Sequence, residues 1–131
     1  MIELIRRLKS DNSAERTEAA YEVTRHIIER NPQIVDILRE NLKSQDEELL
    51  EISIMRLGLR ATDVHSLDDI INISKNSCNS LILSACVFAM LSIADTYPDT
   101  RERVRARLKS MMDGNLEDEL RNTILAELAK I

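Results

Sequence analysis

The chain has 131 residues, 44% of them apolar and 31% charged, with a formal net charge of −5. That is one domain's worth of sequence, apolar enough to fold and long enough to bury a core without a disulfide or metal staple. Two glycines and two prolines are too few for the many tight turns of an all-β fold, and the acidic balance disfavours nucleic acid, since it repels phosphate backbones. With Tyr21, Phe88 and Tyr97 as the whole aromatic complement, the core has to be aliphatic.

Helical periodicity predicts short and long elements in alternation, beginning with a short helix over 2–9. Its charges, Glu3, Arg6, Arg7 and Lys9, stand where a secretory leader would be apolar, so the chain is placed in the cytoplasm. A long helix is expected over 13–30, opened by Asn12 with Glu15, and a short one over 32–43, opened by Asn31-Pro32. The next long helix, 45–61, starts at Ser44 with Glu47 in capping-box spacing. Ser66, with Asp68 and Asp69 on the positive dipole end, opens a short helix over 66–75. A long helix follows over 78–95. Its apolar part, Leu81 to Ala94, is interrupted by Ser84 and Ser92 and reads as a buried helix, not a membrane span. Tyr97-Pro98-Asp99 breaks the chain before a short helix over 99–111, and Asn115 with Asp118 opens a last one over 116–130.

The alternation is a repeat. Leu8-Lys9-Ser10 recurs as Leu42-Lys43-Ser44 and Leu108-Lys109-Ser110, with a weaker copy at Ile73-Ser74-Lys75, giving a period of roughly 33 residues. Each helix carries an apolar stripe it cannot bury alone, such as Ile34, Ile37, Leu38 and Leu42, or Ala20, Val23 and Ile27. Stacked pairs would share one continuous core. Leu8, the polar turn Ser10-Asp11-Asn12, Arg16, Ala19 and Ala20 resemble the leucine, acidic turn, arginine and small-residue pair of the HEAT-repeat family, in a short form. The second repeat has Leu50 in place of the arginine and Ser53 at the small position; the third has Leu81 and Ser84. The resemblance implies an all-α fold over residues 1–131, a right-handed α-solenoid of about three and a half antiparallel helix pairs (HEAT or armadillo-like). It also implies scaffolding or protein binding, usually on the side lined by the second helices.

Residues that carry chemistry are sparse. There is no glycine-rich phosphate loop, His-Glu-x-x-His, Cys-x-x-Cys or nucleophile elbow. His26 reads as a surface residue and His65 as part of a turn. Neither has a glutamate three residues before it, as a di-metal bundle would need. Glu47-Glu48 and Asp68-Asp69 read as helix-start acids. Cys78 and Cys86, eight residues apart, would be separated by about 12 Å on one helix, too far for a disulfide, and are expected as buried or half-buried thiols. No catalytic residue, metal or cofactor is predicted.

Two features could meet a partner. Arg101, Arg105 and Lys109 form a basic stripe suited to an acidic protein, or a solvated face balancing acids on the next repeat. In the helix over 78–95, Leu83, Val87, Met90 and Ala94 occupy positions that are Glu18, Glu22, Arg25 and Glu29 one pair of repeats earlier. With Leu81, Ala85, Phe88 and Ser92 taken as the core stripe, Leu83, Val87, Met90 and Ala94 become either additional core or the face for a partner or second copy. The function expected is a non-catalytic protein-interaction module or adaptor, through a protein partner or self-association. The alternatives are a small acidic neutraliser of the immunity type and a HEAT-like ligand-handling enzyme.

Overall fold

The computed structural model describes residues 1–130. Among them lie nine α-helices and no strand: α1 (Ile2–Leu8), α2 (Ser13–Glu22), α3 (Arg25–Arg30), α4 (Gln33–Asn41), α5 (Glu47–Met55), α6 (Leu67–Asn76), α7 (Ser80–Thr96), α8 (Arg101–Met112) and α9 (Asp118–Leu128). A π-helical segment, Arg56–Arg60, extends α5, and 3₁₀ turns at Val64–Ser66 and Pro98–Thr100 lead into α6 and α8. The alternation of short and long elements is therefore present, with two internal changes.

The expected helix over 13–30 is two helices. Val23 takes an extended conformation (ψ 127°), and Thr24 Oγ1 accepts the amide of Ile27 at 3.4 Å to restart the chain as α3. Adjacent β-branched residues carry weak helix propensity, and a threonine hydroxyl offers the backbone a competing partner. Burial of Val23 at 0% exposure secures the break. The helix expected over 45–61 keeps its direction but widens to π geometry at Arg56.

A three-residue turn opens each of the first three long elements. Ser10 Oγ accepts the amide of Asn12 (3.1 Å), Ser44 Oγ that of Asp46 (3.0 Å) and Ser77 Oγ that of Asn79 (3.1 Å). The third residue of each turn then caps its helix: Asn12 Oδ1 accepts from Ala14, Asp46 Oδ1 from Leu49 and Asn79 Oδ1 from Leu81 and Ile82. So Asp46, not Ser44, is the cap of α5, and the third copy of the turn is Ser77-Cys78-Asn79, not Ile73-Ser74-Lys75. Ser66 does not cap α6 through its hydroxyl, which instead donates to Asp63 at 2.5 Å.

These turns are tied to one another. Ser13 Oγ donates to Asp46 at 2.9 Å, Asn41 Nδ2 donates to the carbonyl of Leu8 at 3.3 Å, and Asn79 donates to Glu47. The carboxyl of Asp46 is held below its usual range, chiefly by the Leu49 amide and then by the Ser13 hydroxyl. The partners in these bonds lie 32 or 33 residues apart, so the sequence period is also a hydrogen-bonding period.

Helix α5 packs against α2 on one side and α7 on the other, while α4 contacts α5, α6 contacts α7, and α7, α8 and α9 follow one another. Ala20, Ile54 and Ala85, equivalent by the period, are all buried in the core that results. Carbonyls near helix C-termini also accept from arginines. Arg56 donates to the carbonyls of Ala20 (3.2 Å) and Tyr21 (3.0 Å) near the end of α2, and Arg121 donates to those of Met112 (2.8 Å) and Gly114 (2.9 Å) after α8.

Candidate interaction surface

Helix α7 is enclosed by α5, α6 and α8. Val87 and Met90 are 0% exposed, Ala94 is buried, and Leu83 is half-buried against the core. The stripe Leu83, Val87, Met90 and Ala94 is thus core of this chain, which corrects the reading of it as a partner or dimer face. The opposite stripe is split. Ala85 is buried, but Leu81 is 63% exposed and Phe88, the single phenylalanine, 45% exposed. Leu81, Ser84, Phe88, Ser92 and Asp95 fall within about 80° of arc, so they form one solvent-facing stripe. The polar residues Ser84, Ser92 and Asp95 mark that side in the sequence, and they are the signal that could have located it.

Phe88 stands between two depressions. On one side an open groove of about 730 Å³ runs between α7, the start of α8 and the end of α9, with Leu59, Leu91 and Pro98 as its apolar wall. Asp95, Arg101, Glu102, Arg105, Glu127 and Lys130 bring both signs of charge to the groove. On the other side a recess of about 220 Å³ is lined by Leu81, Ser84, Leu120 and Thr123, with Glu117 and Glu119 beside it.

The structure brings Arg101 and Arg105 to the groove and leaves Lys109 outside it, exposed on α8. Arg101 Nε donates to the carbonyl of Ala94 at 3.3 Å, so part of its donor set completes the end of α7. Arg105 Nη1 donates to Glu102 Oε1 at 3.2 Å. The basic stripe therefore contributes two guanidinium groups to a mixed-charge rim and does not form a continuous positive face. Its buried counterpart is as expected: Val104 and Leu108 are core.

The remaining candidates are dispersed. His26 Nε2 lies 3.3 Å from Arg30 Nη1 on the exposed side of α3, and His65 is exposed in the 3₁₀ turn before α6. No group of three or more His, Cys, Asp or Glu residues that could hold a metal ion occurs among the described residues. None of their helices is long and apolar enough to cross a membrane.

The cysteines differ from one another. Cys86 is buried inside α7 and its thiol is pushed up to about 12 by burial, against a smaller lowering by the charge of Arg107. Cys78, expected to be at least half-buried, is exposed because it occupies the middle of the Ser77-Cys78-Asn79 turn. Since thiolate is the reactive form, one thiol per chain should react with a maleimide in the native protein and two after denaturation, counted by intact mass. Rapid native labelling of Cys86 would contradict the packing around α7.

Comparison of the chain with family models, with curated proteins and with solved structures found no match.

Proposed function

We propose that this protein is a non-catalytic protein-interaction module: a short HEAT-like stack of about three and a half helix pairs that receives a helix of another protein across Phe88. The observation that carries this reading is the exposure of Phe88 and Leu81 on one narrow stripe of α7, beside a groove with an apolar wall and a rim of both charges. Large apolar side chains at the centre of a charged rim are the usual anatomy of a binding hot spot, since the rim excludes water from the anchor. A segment of amphipathic helix presenting an apolar residue to the groove, with acids facing Arg101 and Arg105, fits this chemistry.

The stack reading draws support from the inter-element hydrogen bonds between residues 32 or 33 apart and from the long elements α2, α5 and α7 packing in chain order. In such an architecture the second helices of successive pairs line one side.

The test is Phe88→Asp. Because Phe88 is half exposed, the variant should keep the helical circular dichroism of the parent and lose less than about 1 kcal/mol of stability. The tagged parent, purified from native lysate at low salt, should retain a stoichiometric protein that the variant releases. A folded variant that retains the same protein at the same yield would sink this reading. A parent dimer that the variant dissolves, seen by light scattering, would make the partner a second copy.

A further inference from the structure

A second depression lies away from Phe88, between α6 and α8. It has a volume of about 380 Å³ and is lined by Asp68, Ile71, Lys75, Arg103, Ala106, Arg107 and Ser110. Three cations face one carboxylate here, in a chain whose net charge is −5. The cations are not equivalent. Arg103 pairs with Asp68. Lys75 is exposed and makes no ion pair among the described residues.

Arg107 is the unusual member. Its Nε donates to Ser74 Oγ at 2.8 Å and one Nη to the carbonyl of Ser74 at 3.2 Å. Ser74 Oγ is itself fixed, donating to the carbonyl of Ile71 at 2.6 Å. The guanidinium is thus aimed and held, partly buried, by neutral groups alone. Burial works against its charge, and no carboxylate among the described residues offsets that cost. A guanidinium held in one orientation and lacking a counter-ion is half of a bidentate oxyanion contact. The remaining Nη makes no hydrogen bond among the described residues, and the Ser110 hydroxyl is exposed at the same depression.

From this arrangement we propose that the depression between α6 and α8 is an oxyanion site that takes a phosphate monoester. Arg107 supplies the oriented fork, Lys75 and Arg103 add charge, Ser110 donates a hydroxyl hydrogen bond, and Ile71 and Ala106 pack against the ester's apolar carbon. The excess of two positive charges matches a phosphate monoester, which carries about −1.5 to −2 at neutral pH, better than it matches a single carboxylate. This site does not depend on the Phe88 surface, which is built from different faces of α7, α8 and α9.

The experiment uses the full chain in low-salt buffer, followed by amide NMR, with phenyl phosphate, inorganic phosphate and benzoate as probes. Phenyl phosphate should give saturable shifts at Ser74, Lys75, Arg103, Arg107 and Ser110, with inorganic phosphate weaker and benzoate at least tenfold weaker. Lys75→Glu, on an exposed position, should keep the fold and weaken phenyl phosphate at least tenfold. Arg107→Gln should abolish saturation, with circular dichroism confirming its fold. Equal binding of phenyl phosphate by the parent and the folded Lys75→Glu protein would overturn the proposal. So would non-saturable shifts, or benzoate binding as tightly as phenyl phosphate. If inorganic phosphate binds as tightly as phenyl phosphate, the site reads the free ion and the ester assignment fails.

Discussion

Gly58→Ala should destabilise this protein by about 2–3 kcal/mol, although alanine is the better helix former by about 1 kcal/mol. Gly58 lies in the π-helical segment where it crosses α7, and a Cβ built there falls 2.3 Å from Ala89 Cβ and 2.5 Å from its Cα. The nearer atoms belong to a short side chain and to backbone, so neither can rotate away. The two helices would have to separate, disturbing the core around them, in which Leu57 and Ala85 are buried. Denaturant unfolding should show a lower midpoint with an unchanged slope. Adding Ala89→Gly should recover only part of the loss, because the clash with the Ala89 Cα persists. A Gly58→Ala protein as stable as the parent would mean that the π-helical segment and α7 are not in this contact.

Arg39→Met should cost about 2–3 kcal/mol at neutral pH and reverse the pH dependence contributed by Asp63. Asp63 is 9% exposed and accepts from Arg39 Nε at 2.7 Å and from a second guanidinium nitrogen at 3.3 Å, as well as from Ser66 Oγ. Burial disfavours the charge on Asp63, but the bonds from Arg39 and Ser66 and the charge of Arg39 together outweigh it. The carboxyl therefore titrates below its usual range.

In the parent, then, Asp63 stabilises the fold above the unfolded carboxylate pKa of about 4, and this contribution is lost as the pH falls through its lower folded value. In the methionine variant burial, the largest influence on this carboxyl, is opposed only by Ser66 and the backbone amide of His65, so the folded pKa should rise above the unfolded one. Asp63 then favours folding only below about pH 4, and the penalty grows as the pH rises through its raised value. The converse change, Asp63→Asn, should cost less, because Arg39 is one-third exposed and keeps Asp36 at 2.7 Å. Urea melts of the three proteins at pH 3.5 and 7 test the sign. An Arg39→Met protein that gains stability between those pH values, as the parent does, would refute the assignment.

How far the sequence was legible follows from the range of the interactions involved. The order of short and long helices could be read because amphipathic periodicity and caps act over three or four residues. Asn12 performs as its position predicts. The period of about 33 was also legible, although the Leu-Lys-Ser string is a poorer marker of it than the Ser-x-Asn/Asp turn. Ser77-Cys78-Asn79 was obscured because the turn begins four residues after Ile73, where the chain carries the extra sequence Lys75-Asn76 at the end of α6.

Burial of α7 was not legible. Its sequence is apolar on most sides, and a stripe argument assigns one face to the core without knowing how many neighbours will enclose the others. Three neighbours do, which takes Val87 and Met90 inside and leaves Leu81 and Phe88 exposed beside α9. The Arg39–Asp63 pair, 24 residues apart, and the contact of Gly58 with Ala89 carry no local signal either.

By itself, then, the sequence determined that this chain is helical, the order of its main elements and that they recur, since each of these rests on interactions within a single turn of helix or a single loop. Tertiary structure alone decided which apolar side chains are core and which arginines are occupied: Arg101 at the end of α7, Arg107 on Ser74, and Arg56 on α2. Those assignments depend on which helix lies next to which, across separations set by the fold and not by the spacing of residues along one element.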